Sequence, residues 1–168
     1  LPFVQSSQIT YHLVHEEVTP QEISLPEISS ERPAMILYTS GTTSLPKGVV
    51  TTHGNIDFQI ACLVQAWEWK ASDRTLCILP LHHIHGIINV IGCSLSVGAT
   101  CEFLPKFNAA EVFSRLLSGE LTVFMAVPTI YFKLISYWDT LSTADQHVIY
   151  DTLLKFRLMV SGSAALPV

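Results

Sequence analysis

Charged side chains are scarce in this sequence, and basic side chains are the scarcer kind. Lys and Arg number 9 and Asp and Glu number 14 among 168 residues, which gives a formal net charge of -5. The basic residues are scattered, whereas proteins that bind a phosphate backbone present a basic patch or stripe. The composition therefore argues against nucleic acid as a partner. A hydrophobic fraction of 49% supplies enough apolar material for a packed core.

The sequence also lacks a paired-cysteine motif, a signal peptide and an apolar run of membrane length. Four cysteines stand in apolar surroundings without a CxxC pair: Cys62, Cys77, Cys93 and Cys101. This usage is typical of reduced core cysteines in an intracellular protein. Residues 1–10 contain no basic region followed by an apolar block. The least polar run, residues 86–100, is shorter than the roughly 20 apolar residues of a membrane helix, so it predicts a buried helix and no transmembrane segment.

The order of elements predicts an α/β fold. Residues 1–33 are rich in Glu, Ser, Gln and Pro and predict a connector, with one strand over 9–14. Strands are then predicted over residues 34–39, 48–52, 75–79, 99–104, 122–127 and 157–160, and helices over 55–67, 86–97, 108–117, 128–138 and 144–155. Asn108 is expected to cap its helix and Pro128 to begin the next one. Strands alternating with helices of these lengths indicate a layered fold with a mostly parallel sheet.

A loop rich in hydroxyl side chains joins the first two predicted strands. Residues 38–48 read YTSGTTSLPKG, with two glycines, four Ser or Thr hydroxyls after Thr39, and Lys47. It is not a Walker loop, because Pro46 stands where that motif requires glycine and a strand follows. Glycines, backbone amides, hydroxyls and one cation are nevertheless suited to holding polyphosphate. An exposed Ser/Thr-rich hairpin turn is the alternative that composition leaves open.

Three histidines follow the third predicted strand, in the segment LPLHHIHG. An extended segment would place His83 and His85 on one face and His82 on the other. The cluster lacks a clear fourth ligand and the His-x3-His spacing of helical metal sites. A metal site is therefore not predicted, and packed or surface histidines are the alternative to a ligand-binding role.

The complete string YTSGTTSLPKG closely resembles the signature loop of the adenylate-forming acyl-CoA synthetase and ligase superfamily, usually written YTSGTTGxPKG. Ser44 is the departure, since most members have glycine at that position. The resemblance implies that this loop grips the β- and γ-phosphates of ATP. The residues implied in phosphate binding are Thr39, Ser40, Gly41, Thr42, Thr43, Ser44 and Lys47.

The histidine segment is similar to the PLFH segment of the same superfamily, with His82 in place of the usual aromatic residue. By that resemblance His83 lines the channel for the acyl group and pantetheine, and His85 belongs to the same acyl and CoA pocket. His85 and Gly86 extend the similarity toward one branch, the malonyl-CoA synthetases. Residues 104–113, 123–134 and 157–167 also resemble that branch.

In that branch a cation and a serine are placed to meet the distal carboxylate of malonate. The matching residues here are Lys133 and either Ser161 or Ser163. A buried acyl-chain carboxylate without such partners would be costly, although an exposed helix lysine is the alternative for Lys133. The turn SGSAALP resembles the superfamily segment beside the adenine and acyl group, which implies Gly162, Ser163 and Ala164.

The resemblance covers residues 34–168 and, more loosely, the connector 1–33, and it implies part of the N-terminal AMP-binding domain, incomplete here, with the C-terminal domain absent. The YGxTE and TGD segments of the superfamily do not occur in the sequence. Because those missing groups hold Mg²⁺ and the nucleotide and act together with the loop, the 168-residue piece alone is expected to be inactive.

The reaction implied for the parent enzyme uses ATP, CoA and a carboxylic acid. The acid, malonate or methylmalonate, is activated as acyl-AMP and transferred to CoA, with Mg²⁺ expected in the full-length enzyme. A medium- or long-chain fatty acyl-CoA ligase is one alternative, and a truncated, non-catalytic binding module is another. The resemblance favours mitochondria over the cytoplasm as the compartment.

Overall fold

A computed structural model of the protein describes residues 26–39 and 45–165. Its strands are β1 Pro33–Thr39, β2 Lys47–Thr52, β3 Arg74–Cys77, β4 Thr100–Phe103, β5 Val123–Ala126 and β6 Leu158–Ser161. Its helices are α1 His53–Ala66, α2 (a π-helical segment His85–Gly92 continued by one α-helical turn Cys93–Ser96), α3 Ala109–Leu117, α4 Pro128–Trp138 and α5 Thr143–Leu153. The predicted order of elements is confirmed here, while the strand predicted over 9–14 lies outside the described residues.

The starts of α1, α3, α4 and α5 are each marked by a residue at the beginning of the helix. Two of these residues, Thr52 and Ser142, were not predicted. Asn108 caps α3 by accepting from the Glu111 amide at 3.1 Å, and Pro128 begins α4, both as predicted. α1 begins at His53, because the Thr52 side chain accepts from the Asn55 amide and Asn55 accepts from the Thr52 amide. Such a reciprocal capping box places Asn55 inside the first turn, so the predicted start at residue 55 was wrong.

Two other predicted helices also have different limits. The helix predicted over 144–155 ends at Leu153 and begins at Thr143, after Ser142, whose side chain accepts from the Asp145 amide at 3.2 Å. The buried helix predicted over 86–97 begins at His85 and is π-helical for most of its length. Apolar periodicity differs too little between α- and π-helices to predict that difference.

β1 and β2 form the predicted antiparallel hairpin. Thr39 pairs with Lys47 at its loop end, and Pro33 pairs with Thr52 at the other end. Pro33, assigned to the connector by sequence, is therefore the first residue of the hairpin. The hairpin forms a two-stranded sheet of its own, separate from the larger sheet.

The larger sheet is parallel, in the order β4-β3-β5-β6, as expected for strands joined by helices. β5 is buried on both faces, with all four residues at 0% exposure. Phe124 and Ala126 pack with α3, α4 and α5, whereas Val123 and Met125 pack with α1 and α2. The sheet is thus the middle of three layers, and the strands end together on one edge.

A buried carboxylate joins the beginnings of β3, β5 and β6 at the opposite edge. Asp73 is 3% exposed and accepts from the Lys70 amide (2.8 Å), the Thr122 hydroxyl (2.8 Å) and Arg157 Nε (2.7 Å). Arg157 also donates to the Trp67 carbonyl at 2.8 Å. Burial by itself raises the pKa of Asp73, but the hydrogen bonds from Arg157, Lys70 and Thr122 together outweigh it and lower the pKa. Nothing in the sequence analysis predicted this cluster, which we call the Asp73 clamp.

The cysteines are free, but they are not all in the core. Cys77 and Cys93 are buried and Cys101 is half-buried, whereas Cys62 on α1 is exposed, so the prediction of a core position was wrong for Cys62. Among the residues that the structure describes, no helix has the length and apolarity needed to cross a bilayer.

Candidate functional site

The candidate site lies where the strands of the parallel sheet end. β3 leads into the histidine segment, β5 leads into Val127, and β6 leads into Gly162 and Ser163. In open α/β sheets this edge is the usual place for a ligand, because the loops that leave the strands surround a crevice there. The β1–β2 hairpin stands against the same edge.

A cavity of about 570 Å³, which we call the hairpin cavity, separates the hairpin from the sheet edge. Its walls come from both strands of the hairpin, from the segment after β3, and from the residues that follow β5 and β6. They are Leu37, Tyr38, Thr39, Val49, Thr51, Leu79, Pro80, His82, His83, Ile84, His85, Gly86, Val127 and Ser163. The predicted site residues His83, His85 and Ser163 therefore meet Thr39 at this cavity, although they come from distant parts of the chain.

The two residues that flank the predicted phosphate loop belong to the hairpin whose strands line this cavity. Thr39 is the last residue of β1 and pairs with Lys47, the first residue of β2, at the loop end of the hairpin. Lys47 is exposed, so its ammonium group is available to a ligand. The other predicted phosphate-binding residues, 40–44, lie outside the described residues. Thr39 and Lys47 thus mark the two points between which that loop is held.

The three histidines do not form an extended segment, so the predicted sharing of one face was wrong. The His83 amide donates to the Pro80 carbonyl at 3.3 Å, and the Gly86 amide donates to the His83 carbonyl at 3.1 Å. These bonds fold the chain into a turn that enters α2. His82 and His83 are exposed with ring centroids 4.3 Å apart, whereas His85 is 8% exposed.

Gly86 allows this turn to lie directly on the end of β3. A Cβ added at Gly86 would lie 2.6 Å from the Pro80 carbonyl oxygen and 3.3 Å from that of Leu79. Real side chains do not tolerate the shorter contact, and a backbone carbonyl cannot move away without moving the strand end. The close contact at Gly86 therefore determines where His83 and His85 lie relative to the cavity. The spacing of these residues in the sequence did not reveal this contact.

The end of β6 contacts the buried histidine. His85 Nδ1 lies 3.1 Å from Ser163 Oγ, and its ring packs on Gly162, where an added Cβ would lie 3.1 Å from Cε1. Burial lowers the pKa of His85, which keeps the imidazole neutral at pH 7. The Ser161 hydroxyl is buried and has no hydrogen-bond partner among the described residues. Ala164 is exposed.

A second cavity of about 590 Å³, the α4 cavity, adjoins the first and shares Leu79, Pro80, His83 and Val127 with it. Its remaining walls come from Ile78 directly after β3, from residues 104–107 and from Ile130 on α4. Lys106 and Phe107 line it, and Lys133 Nζ lies 5.6 Å from the centroid of the Phe107 ring. Lys133 is exposed on α4, and the ring of Phe107 holds its ammonium group beside this cavity through a cation–π contact. Lys133 and Ser163 therefore flank two adjoining cavities rather than one.

Tyr131 is a neighbouring residue that the sequence analysis did not identify. Its hydroxyl donates to the Val160 carbonyl at 2.9 Å, and burial raises its pKa to about 12. The bond ties α4 to β6 and so sets the position of Lys133 relative to the Gly162–Ser163 turn. Tyrosine in an amphipathic helix is common, and no local signal distinguishes this one.

Within residues 26–39 and 45–165, no group of three or more His, Cys, Asp or Glu side chains could hold a metal ion. The site consists of hydroxyls, imidazoles, backbone groups and three lysines, Lys47, Lys106 and Lys133. Such a set suits anionic and carbonyl oxygens.

Comparison with known families identifies the family of the chain. The model of the family described as AMP-binding enzyme matches residues 3–168. The chain belongs to the AMP-binding enzyme family. The resemblance inferred from YTSGTTSLPKG is thereby confirmed, and so is the layered α/β fold of this family's N-terminal domain.

Relatives of this AMP-binding chain share its sequence over most of its length. It is 46% identical to the mitochondrial malonate–CoA ligase ACSF3 of Mus musculus over 178 residues, which cover 100% of this chain and 30% of that protein. A malonyl-CoA ligase solved as a ternary product complex with methylmalonyl-CoA and AMP has a TM-score of 0.73 and 34% identity, over 84% of this chain and 30% of that one. ATP-bound MatB from Rhodopseudomonas palustris has a TM-score of 0.72 and 32% identity, over 86% and 27%. The chain thus spans less than a third of the length of these relatives.

Proposed function

We propose that the protein is part of an ATP-dependent acyl-CoA synthetase that activates malonate or methylmalonate and transfers it to CoA. The observation that supports this most directly is the hairpin cavity, in which the phosphate-loop hairpin stands against the carboxyl edge of a parallel sheet. The relatives named as malonate–CoA and malonyl-CoA ligases support the choice of acid.

The reaction has two balanced steps. A carboxylate oxygen attacks the α-phosphorus of ATP, the bond from that phosphorus to the bridging oxygen breaks, and pyrophosphate leaves with the bonding electrons. The CoA thiol, losing its proton, then attacks the acyl carbon, and AMP leaves. In the first step the loop held between Thr39 and Lys47 neutralises the charge that develops on pyrophosphate, which is the kind of electrostatic assistance that preorganised donors supply.

Selection of a dicarboxylic acid is assigned to Lys133. Its ammonium group is held beside the α4 cavity by Phe107, and Lys106 adds a second positive charge to the wall of that cavity. A carboxylate entering an otherwise apolar acyl site needs such a partner, because an unpaired charge there is costly. We assign His83, which lines both cavities, to the boundary between the acyl group and the phosphate side.

The apolar walls of the α4 cavity favour a second candidate substrate, a medium- or long-chain fatty acid. Ile78, Leu79, Val127 and Ile130 all line it. An alkyl chain would be stabilised by contact with these side chains, and it would leave the two lysines at the rim. Malonate therefore requires the positive charge of Lys133, whereas a fatty acid does not.

Mg²⁺ and the compartment are proposed for the whole protein. The described residues do not supply a metal site by themselves, so no step here is assigned to a metal ion. A mitochondrial location is supported by the name of the mouse relative.

Lys133→Met is the substitution that tests the choice of acid in the whole protein. We expect kcat/KM for malonate to fall roughly 10- to 100-fold, because a charged hydrogen bond of about 1.5–3 kcal/mol is lost. Activity on octanoate should change less than about threefold, because a methionine of similar length preserves the apolar contacts. Pyrophosphate release, measured with each acid in turn, gives both values.

Lys155→Met is the matched control, since Lys155 is an exposed lysine in the turn after α5. It should leave both activities unchanged. Equal losses on malonate and octanoate with Lys133→Met would exclude recognition of the distal carboxylate by Lys133. A whole protein that releases no pyrophosphate with any acid would contradict the proposed function itself.

A further inference from the structure

The contact between His85 and Ser163 joins two loops that are far apart in the chain. The residues are 78 positions apart, one at the beginning of α2 and the other after β6. The Gly162 amide donates to the Ala126 carbonyl at 3.1 Å, which fixes the turn to the end of β5. The His85 ring fits against Gly162 because that residue has no Cβ. The imidazole is therefore held on one side by backbone and on the other by the Ser163 hydroxyl.

Ser163 has an unfavourable backbone conformation for its residue type. Its φ is 67°, in the left-handed region that glycine adopts readily and serine does not. Non-glycine residues keep such a conformation where their surroundings impose it, and these positions cluster at functional sites. Because Ser163 is exposed and lines the hairpin cavity, its hydroxyl can reach a ligand there.

The surroundings of His85 favour one of its two neutral tautomers. Nε2 is buried and has no hydrogen-bond partner among the described residues. A buried N–H without an acceptor is rarer and more costly than a buried acceptor without a donor. The neutral tautomer with its hydrogen on Nδ1 avoids that cost, and in this tautomer Nδ1–H donates to Ser163 Oγ, 3.1 Å away. The Ser163 hydroxyl hydrogen is then free to be donated to another group.

We propose that His85 is a positioning residue that holds the Ser163 hydroxyl as a hydrogen-bond donor toward a carboxylate or acyl oxygen of the acid in the hairpin cavity. This inference rests on the proposed function for the identity of the acid. It assigns the two residues different roles: Ser163 contacts the substrate, and His85 acts through Ser163.

The test compares two amides at position 85 in the whole protein. An asparagine side chain places its NH₂ near the position of Nδ1, whereas a glutamine side chain places it near Nε2. We expect His85→Asn to retain at least about ten times the kcat/KM for the acid that His85→Gln retains, with KM for ATP similar in both. If His85 only fills space, the larger glutamine should be equal to or better than asparagine, which would overturn the proposal.

Ser163→Gly isolates the hydroxyl, because glycine adopts the same φ without strain. We expect a loss of kcat/KM for the acid of about tenfold or more together with unchanged or increased thermal stability. Combining Ser163→Gly with His85→Gln should add little further loss, since both remove the same donor. Full activity of Ser163→Gly, or additive losses in the double variant, would contradict the assignment.

A measurement on the unsubstituted protein does not depend on whether any variant folds. Nitrogen-15 chemical shifts of labelled histidine distinguish an imidazole protonated on Nδ1 from one protonated on Nε2. The Nδ1–H form is expected for His85, and the Nε2–H form would overturn the proposal. This result can be obtained even if no acid is turned over, so failure of the inference and failure of the proposed function are distinguishable.

Discussion

Replacing Asp73 by alanine is expected to lower the free energy of unfolding by roughly 3–5 kcal/mol, the loss typical of breaking a buried ion pair from one side. The substitution leaves the Thr122 hydroxyl and the Lys70 amide without their acceptor and the Arg157 guanidinium without its carboxylate. Three strands begin at these residues, so their alignment depends on one side chain. Urea unfolding followed by tryptophan fluorescence gives the change.

The pair Arg74–Glu120 provides a control at the surface. Its nitrogen–oxygen distance is 3.3 Å, and its side chains are 38% and 53% exposed. Glu120→Ala should cost about 1 kcal/mol or less, because solvent screens an exposed pair. A loss for Asp73→Ala no larger than that for Glu120→Ala would show that the Asp73 clamp does not stabilise the fold.

Acid pH gives an independent check on the same cluster. Because the pKa of Asp73 is lowered in the folded protein, its contribution is present above the unfolded pKa of about 4 and is lost as pH falls toward the folded pKa. Asp73→Asn lacks this titrating group, so its stability should fall less steeply with acid than that of the unsubstituted protein. Parallel curves would contradict the lowered pKa.

Replacing Gly86 by alanine is expected to have the largest effect on activity. The added Cβ would lie 2.6 Å from the Pro80 carbonyl oxygen, so the end of β3 and the start of α2 must separate. Overpacking of this kind costs about 1–3 kcal/mol or more. It would also displace His83 and His85, and a misplacement of about 1 Å can cost on the order of 100-fold in rate. Pyrophosphate release by the whole protein and thermal unfolding measure the two effects.

Gly119→Ala separates steric clash from backbone strain. Gly119 has a φ of 74°, and no described atom lies within 4 Å of an added Cβ. Alanine there should cost about 1–2 kcal/mol through its left-handed conformation and leave activity unchanged, since the residue lies after α3, away from both cavities. Activity of Gly86→Ala equal to that of Gly119→Ala would mean that close contact with Pro80 does not position the histidines.

Features with short-range signals could be predicted from the sequence. Asn108 and Pro128 mark helix starts by hydrogen bonding and ring geometry within one turn. The β-branched run after YTSGTTSLPKG indicated a second strand, and the hairpin formed with the predicted loop between its strands. The histidine segment was harder, because its turn depends on Gly86 lying against Pro80, a contact that periodicity does not encode.

The sequence by itself determined the family, the alternation of strands and helices, and the chemical character of the phosphate loop, because each depends on residue types that are close together in the chain. The tertiary structure decided which distant residues meet. Asp73 reaches Arg157 across 84 positions and His85 reaches Ser163 across 78, because the strand order β4-β3-β5-β6 places β6 beside β5. Strand order is settled by the packing of whole layers, and no local pattern of residues specifies it.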